Sequence, residues 1–200
     1  MSPARPARMA GADRREQLLD ILAGLILNEG HGAVSIDRIA REAGIARTVV
    51  YAQFDNLDAM QAALADRGEQ RIFEQIRGVL PDLDATEDID ETVLAALGGY
   101  LRAVAGDPLT WRLALLPPDG APLPLRERVE RNRAAVVAML APFCAAGLER
   151  RGGPAGVDAE MLARVILASG EEAGRMVLAG GDAEIERALI FTRAMLAALR

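Results

Sequence analysis

Apolar residues recur along this chain at the spacing of helix faces. Leu18, Ile21, Leu22, Leu25 and Ile26 follow Asp13 at intervals that match an amphipathic helix, and the two glycines of NEGHG end the run. VSIDRIAREAG predicts a second helix, with Ser35 as N-cap and Gly44 as stop. ARTVVYAQF reads as a third, short helix. A fourth opens at DNLDAM, capped by Asp55 or Asn56, with Asp58 at its positive end. It carries Leu57, Met60, Leu64, Ile72, Ile76 and Val79 to a stop at Pro81. The acidic PDLDATEDIDE is turn-like, a helix follows over Glu91–Ala105, and LTWRLALL is short and apolar beyond the GDP break. After the loop PPDGAPLP, a long helix is expected from Leu125 to Arg150, with Pro142 as the place for a kink. Two last helices, Asp158–Ala179 and Ala183–Leu199, flank GGD, and Ile185, Leu189, Thr192, Leu196 and Leu199 form one stripe. The pattern predicts an all-α chain of about nine helices with no strand.

Composition supports this. Alanine and leucine dominate the 51% apolar fraction while aromatics are 4%, which favours helices over a β-rich fold. A charged fraction of 26% marks a globular chain, and 200 residues suffice for a sizeable core. The net charge of −6 excludes a generally basic nucleic-acid coat, but its distribution is uneven. Residues 1–56 hold seven Arg and seven acids, net 0, so the whole deficit lies in the remaining 144. The N-terminal part is the part least repelled by a polyanion. Cys144 is the single cysteine, which leaves no intrachain disulfide and no thiolate metal cluster; it reads as a buried inert thiol. MSPARPARMAGADRR has charge without an apolar core, and no run of 18 apolar residues exists, so a cytoplasmic protein without a membrane span is expected.

Residues 36–54 carry the informative motif. Two helices that cross closely need a small residue at the crossing, here Ala40, and a turn residue that accepts positive φ, here Gly44. Ile45 and Val50 then pack the second helix onto the first, and Arg47, Thr48, Tyr51 and Gln53 are left facing outward. An ordinary helical hairpin satisfies the same spacing. The three-helix context and the Tyr51–Phe54 pair are what raise it above that.

SIDRIAREAGIARTVVYAQFDNLDAM is similar to the signature of the TetR family of transcriptional repressors. Ser35, Ile39, Ala40, Ala43, Gly44, Ile45, Tyr51 and Phe54 match, over about residues 14–65. TWRLALLPPDGAPLPLRERVE also resembles a segment of some family members. Residues 1–12, rich in Pro, Ala and Arg and without periodicity, read as a mobile arm; the resemblance implies a three-helix DNA-binding domain over 13–56 and a helical ligand-binding and dimerisation domain over 57–200. It implies a homodimer through the last two helices, a double-stranded palindromic operator and release by a small molecule. A two-fold dimer places two recognition helices in successive major grooves, about 34–36 Å apart. Ser35 and Tyr51 are then candidates to hydrogen-bond phosphates, with Arg38 as a further cation. Arg47 suits a phosphate or a guanine edge, Gln53 an adenine, and Thr48 a thymine methyl or a phosphate.

Three departures stand out. Ala46, Val49 and Leu57 occupy positions where the family commonly has a serine or threonine cap, a threonine and a lysine. Arg14, Arg15, Arg38 and Arg41 are the candidates to compensate, with Arg5 and Arg8 of the arm, which is read either as a minor-groove tail or as a solvated one. Weaker phosphate neutralisation and a shallower salt dependence are expected. The departures keep a rival open: a helical dimer of the same fold that binds a small molecule or protein with weak or no DNA binding. Tyr100, Trp111, Met139 and Phe143 are the candidate walls of an apolar ligand site, against the alternative that most of them are core. Glu171 and Arg175 are spaced for an i, i+4 ion pair. His31 has no second histidine to share a metal, and the acids of EDIDE read as a solvated loop. No phosphate-binding glycine loop, H-E-x-x-H or G-x-S-x-G occurs, so an enzyme, a cofactor and a metal are not expected.

Overall fold

A computed structural model describes residues 11–81, 88–117, 120–153 and 156–198. The arm arginines Arg5 and Arg8, and Leu199 of the last stripe, lie outside them. The described residues form nine α-helices and one short 3-10 turn, without a strand. They are α1 (Gly11–Glu29), α2 (Ile36–Glu42), α3 (Arg47–Tyr51), α4 (Leu57–Val79), α5 (Ile89–Gly106), α6 (Pro108–Leu115), α7 (Leu123–Arg151), α8 (Ala159–Gly180) and α9 (Asp182–Ala198). The 3-10 turn, His31–Ala33, joins α1 to α2.

Several helices are capped by side chains local in sequence. Ser35 Oγ accepts the Arg38 N–H at 3.1 Å, Asn56 Oδ1 accepts that of Ala59 at 2.8 Å and Asp158 Oδ1 that of Met161 at 2.6 Å. Asp88 Oδ1 accepts from Asp90 and Glu91, so part of EDIDE is a helix cap. Asp90 itself is buried and ion-pairs with Arg151 at 2.9 Å, which ties the start of α5 to the end of α7. Among the described residues no group of acids, histidine and cysteine is placed to hold a metal, and no helix is long and apolar enough to cross a membrane.

The chain divides into two units at Arg67 and Gly68, inside α4. The sequence reading places that division at 56/57. In the first unit, Leu18, Leu22, Ile26, Ile39, Val50 and Met60 are fully buried. Each such side chain contributes about 1.5–3 kcal/mol on leaving water. α2 packs on both α1 and α3, and Arg67 binds Glu16 at 2.9 Å and Asp20 at 2.8 Å, tying α4 to α1.

The second unit has two apolar clusters. Leu101, Val104, Trp111, Leu115, Val177 and Ile185 form one, against which Ile72 and Ile76 of α4 pack. Val137, Cys144 and Ala163 centre the other, between α7 and α8. Burial pushes the Cys144 thiol pKa up, consistent with an inert thiol. The outer faces of α8 and α9 keep large apolar side chains in solvent: Met161, Val165 and Ile166 on α8, and Ile190, Phe191 and Met195 on α9.

Candidate functional site

The α2–α3 unit is built from its backbone up. α2 closes with two hydrogen bonds, Ile45 N–H to Ala40 O at 3.0 Å and Gly44 N–H to Arg41 O at 3.2 Å. They satisfy end carbonyls in the Schellman arrangement, which requires a left-handed residue between them. Gly44, at φ +64°, is that residue. A Cβ added to Gly44 would meet no atom within 4 Å, so glycine is there for its dihedral angle and not for space. α3 restarts at Arg47 after Ala46, which is extended and supplies no side-chain cap.

Val50 faces inward and is fully buried, while Thr48, Val49 and Tyr51 are exposed. Phe54 is buried beneath the Arg15 guanidinium, 4.1 Å from its ring centroid. Arg15 also donates to the Gln53 carbonyl at 2.7 Å. It therefore fastens α1 to the segment just beyond α3. Gln53 lies in the turn beyond α3 and is half-buried.

The arginines differ in what holds them. Arg38 is gripped at both tips, Nη1 by Glu42 at 2.7 Å and Nη2 by Glu29 at 2.8 Å. Arg47 pairs with one acid, Asp37, through Nε at 2.8 Å. The Tyr51 hydroxyl, one turn on, and then the Asp37 charge push the Arg47 pKa up. Arg14 donates to Gln17 at 2.5 Å. Arg41 is exposed, with no acid within ion-pair distance among the described residues. Ser35 spends an acceptor lone pair on its cap and keeps its hydroxyl proton for donation.

Sequence reasoning missed Asp37, Glu29 and the Arg15–Phe54 stack. The Arg38–Glu42 pair has the legible i, i+4 spacing. Asp37 and Arg47 lie on either side of the turn, so only the crossing of α2 and α3 brings them together. His31 sits in the 3-10 turn; burial lowers its pKa, and its Nδ1 is buried without a hydrogen-bond partner.

In the second unit, Tyr100 and Trp111 meet edge to face, ring centroids 5.2 Å apart at 84°. The Trp111 indole N–H donates to Gln75 Oε1 at 2.7 Å, and Gln75 Nε2 donates to Asp107 at 3.3 Å. Asp107 in turn caps α6. The Tyr100 hydroxyl donates to the Gly170 carbonyl at 3.2 Å, and burial raises its pKa well above the usual tyrosine value. Met139 and Phe143, half-buried on α7, join neither apolar cluster. The structure thus brings together two of the four candidate ligand residues. A cavity bounded by Gly78, Val79, Pro81, Thr92, Ala95, Ala96 and Gly99 contains none of the four. The expected Glu171–Arg175 pair is not formed. Glu171 instead reaches Arg133 of α7 at 2.8 Å and Arg175 takes Glu172 at 2.9 Å, because a neighbouring helix offers Glu171 a cation.

No family model matches the chain. Two curated relatives, named as uncharacterised HTH-type transcriptional regulators of Mycobacterium tuberculosis strains CDC 1551 and H37Rv, are each 28% identical over 155 residues, 72% of this chain and 75% of theirs. Among solved structures, a TetR-like transcriptional regulator from Rhodococcus sp. RHA1 superposes with a TM-score of 0.74 at 21% identity, covering 94% of this chain and 95% of that one. The fatty acid degradation regulator FadR of Bacillus halodurans gives 0.71 at 15%, covering 98% and 96%. The FadR of Bacillus subtilis, solved with stearoyl-CoA, gives 0.68 at 17%, covering 90% and 96%. By this agreement over nearly its whole length, the chain carries the all-α architecture seen in TetR-family transcriptional regulators.

Proposed function

We propose that the chain is a non-enzymatic, ligand-responsive DNA-binding transcriptional regulator, a repressor that binds a palindromic operator as a homodimer. The observation that carries this is the α2–Gly44–α3 geometry. It buries Val50 and leaves Arg47, Thr48 and Tyr51 exposed on one short helix, with Ser35 at the start of α2. Tyr51 and Ser35 suit phosphates, and Arg47 suits a base edge or a phosphate. The relatives named as HTH-type regulators support the same reading.

The apolar outer faces of α8 and α9 support a dimer through the last two helices, since large apolar side chains gathered in solvent on two helices that pack together mark an interaction site. An apolar effector acting at the Tyr100–Trp111 pair, with Met139 and Phe143, is the corresponding ligand reading. The Bacillus subtilis neighbour was solved with stearoyl-CoA, whose acyl chain, though not its charged coenzyme A part, is a long apolar group of this kind. Effector binding would shift the two-state balance of the dimer away from the DNA-binding form.

Binding to the DNA flanking its own gene tests the core of this. A sequence-specific shift lost in Arg47→Ala and Tyr51→Ala is expected. An intact dimer with no specific shift at moderate salt sinks the repressor reading. That outcome would favour the rival, a dimer of the same fold that binds only a small molecule or a protein. The observation on its side is that Ala46, Val49 and Leu57 bring no polar group to α3 or the start of α4.

A further inference from the structure

Both cations of the α2–α3 surface that pair with acids do so in different ways. Glu42 and Glu29 occupy the two tips of Arg38, so its fork is consumed within the protein. Arg47 meets Asp37 through Nε, the nitrogen at the base of the guanidinium, with the Tyr51 hydroxyl also acting on the group; held at Nε, it can turn its Nη pair, a fork that matches guanine O6 and N7, towards a base edge. Asp37 is on the first turn of α2 and Arg47 on the first turn of α3, so this ion pair spans the turn at Gly44. Both side chains are more than half exposed, 58% for Arg47 and 54% for Asp37, so the pair adds little to folding. Its effect falls on whatever approaches the surface.

We propose that Asp37 is a specificity-determining residue that acts through Arg47, holding its guanidinium in place and opposing any duplex that offers Arg47 only phosphates. This rests on the DNA-binding reading above. On a non-cognate duplex the Arg47–Asp37 pair is neutral as a unit, and it releases no counterion unless Arg47 abandons Asp37. On the operator the Nη fork finds a base edge while Nε stays with Asp37. Asp37 therefore lowers non-specific affinity more than specific affinity.

The test is fluorescence anisotropy with the full chain on the DNA flanking its own gene and on a scrambled duplex of equal composition. Four proteins are compared: wild type, Asp37→Asn, Arg47→Ala and the double variant. Asp37→Asn should keep the wild-type melting temperature and bind the scrambled duplex more tightly. Its non-specific salt slope should steepen by about one charge per protomer between about 50 and 200 mM salt. Its specific-to-scrambled ratio should fall by at least about five-fold, the lower end of what one arginine–base contact discriminates. In the Arg47→Ala background, where specific binding is lost, the same substitution should leave the salt slope on the scrambled duplex unchanged. An undiminished ratio in Asp37→Asn overturns the proposal, and so does an equal steepening of the scrambled-duplex salt slope in the absence of Arg47. A wild type that discriminates while Asp37→Asn behaves identically overturns this inference alone. A wild type that does not discriminate overturns the DNA-binding reading and this inference with it.

Discussion

Gly44 sits at φ +64° in the turn between α2 and α3, and a Cβ there would touch nothing. Gly174 lies within α8, where a Cβ would meet Leu115 Cδ1 at 2.7 Å and the Tyr100 hydroxyl at 2.8 Å. One glycine answers a backbone demand and the other a packing demand. The two units differ in the same sense. The first is held by caps, a turn and a small core, and its large exposed apolar residues, Val49 and Tyr51, both lie on α3. The second is held by helices that press together across long sequence separations, and it leaves much apolar surface on α8 and α9 in solvent. The first unit leaves little apolar surface outside α3; the second leaves much of it on α8 and α9.

The largest expected effect breaks that last distinction. Phe191 is 66% exposed, so Phe191→Asp should leave the fold intact and weaken the proposed dimer. The cost should be about 2–4 kcal/mol of association free energy, read by sedimentation. An unaltered dimer would show that the α9 face is not the contact. Gly174→Ala comes next: overpacking costs about 1–3 kcal/mol, offset by up to about 1 kcal/mol of helix propensity, so a net loss in chemical denaturation is expected. Gly44→Ala should cost about 1–2 kcal/mol, because no repacking relieves a left-handed backbone.

Asparagine separates the two glycines more sharply than alanine does. At 44 it should be tolerated better than alanine, since Asn accepts the left-handed region. At 174 it should be worse, since it is larger. Ala46→Ser should stabilise the first unit by about 1 kcal/mol by supplying the missing cap of α3. The smallest effect is on pH. Burial depresses the His31 pKa below 6.5 in the folded protein, so the unfolded chain takes up the proton first. Stability is then complete above about pH 6.5 and declines as the pH falls through the folded value. His31→Gln should flatten that acid slope in a melting series.

What was legible in the sequence follows the same division. Ser35 acts on an N–H group three residues away and Gly44 on its own φ, so residue type and spacing disclosed them, and they narrowed the cap of α4 to Asp55 or Asn56, of which the structure uses Asn56. The helix count was legible for the same reason, since periodicity is a local property. Glu171 was matched to Arg175 because spacing alone suggests it, but the cation it uses comes from α7, 38 residues earlier. Asp37 with Arg47, Arg15 with Phe54 and Tyr100 against Gly174 belong to the same class. Each depends on how separate helices meet, and no local pattern records that. Within the candidate site, the outward residues of α3 could be read, whereas the acids that restrain the arginines beside them could not.

Trp111 gives the second unit an optical readout. It is the single tryptophan of the chain, nearly fully buried, with its indole N–H held by Gln75 and Tyr100 set edge-on to its ring. Its intrinsic fluorescence therefore comes from one environment in one unit. Whatever loosens the contacts of α4, α5 and α6 around that indole, from denaturant to an apolar compound, will shift its emission without any label. The same signal will stay silent while changes are confined to α2 and α3, so one spectrum can tell which half of the molecule has responded.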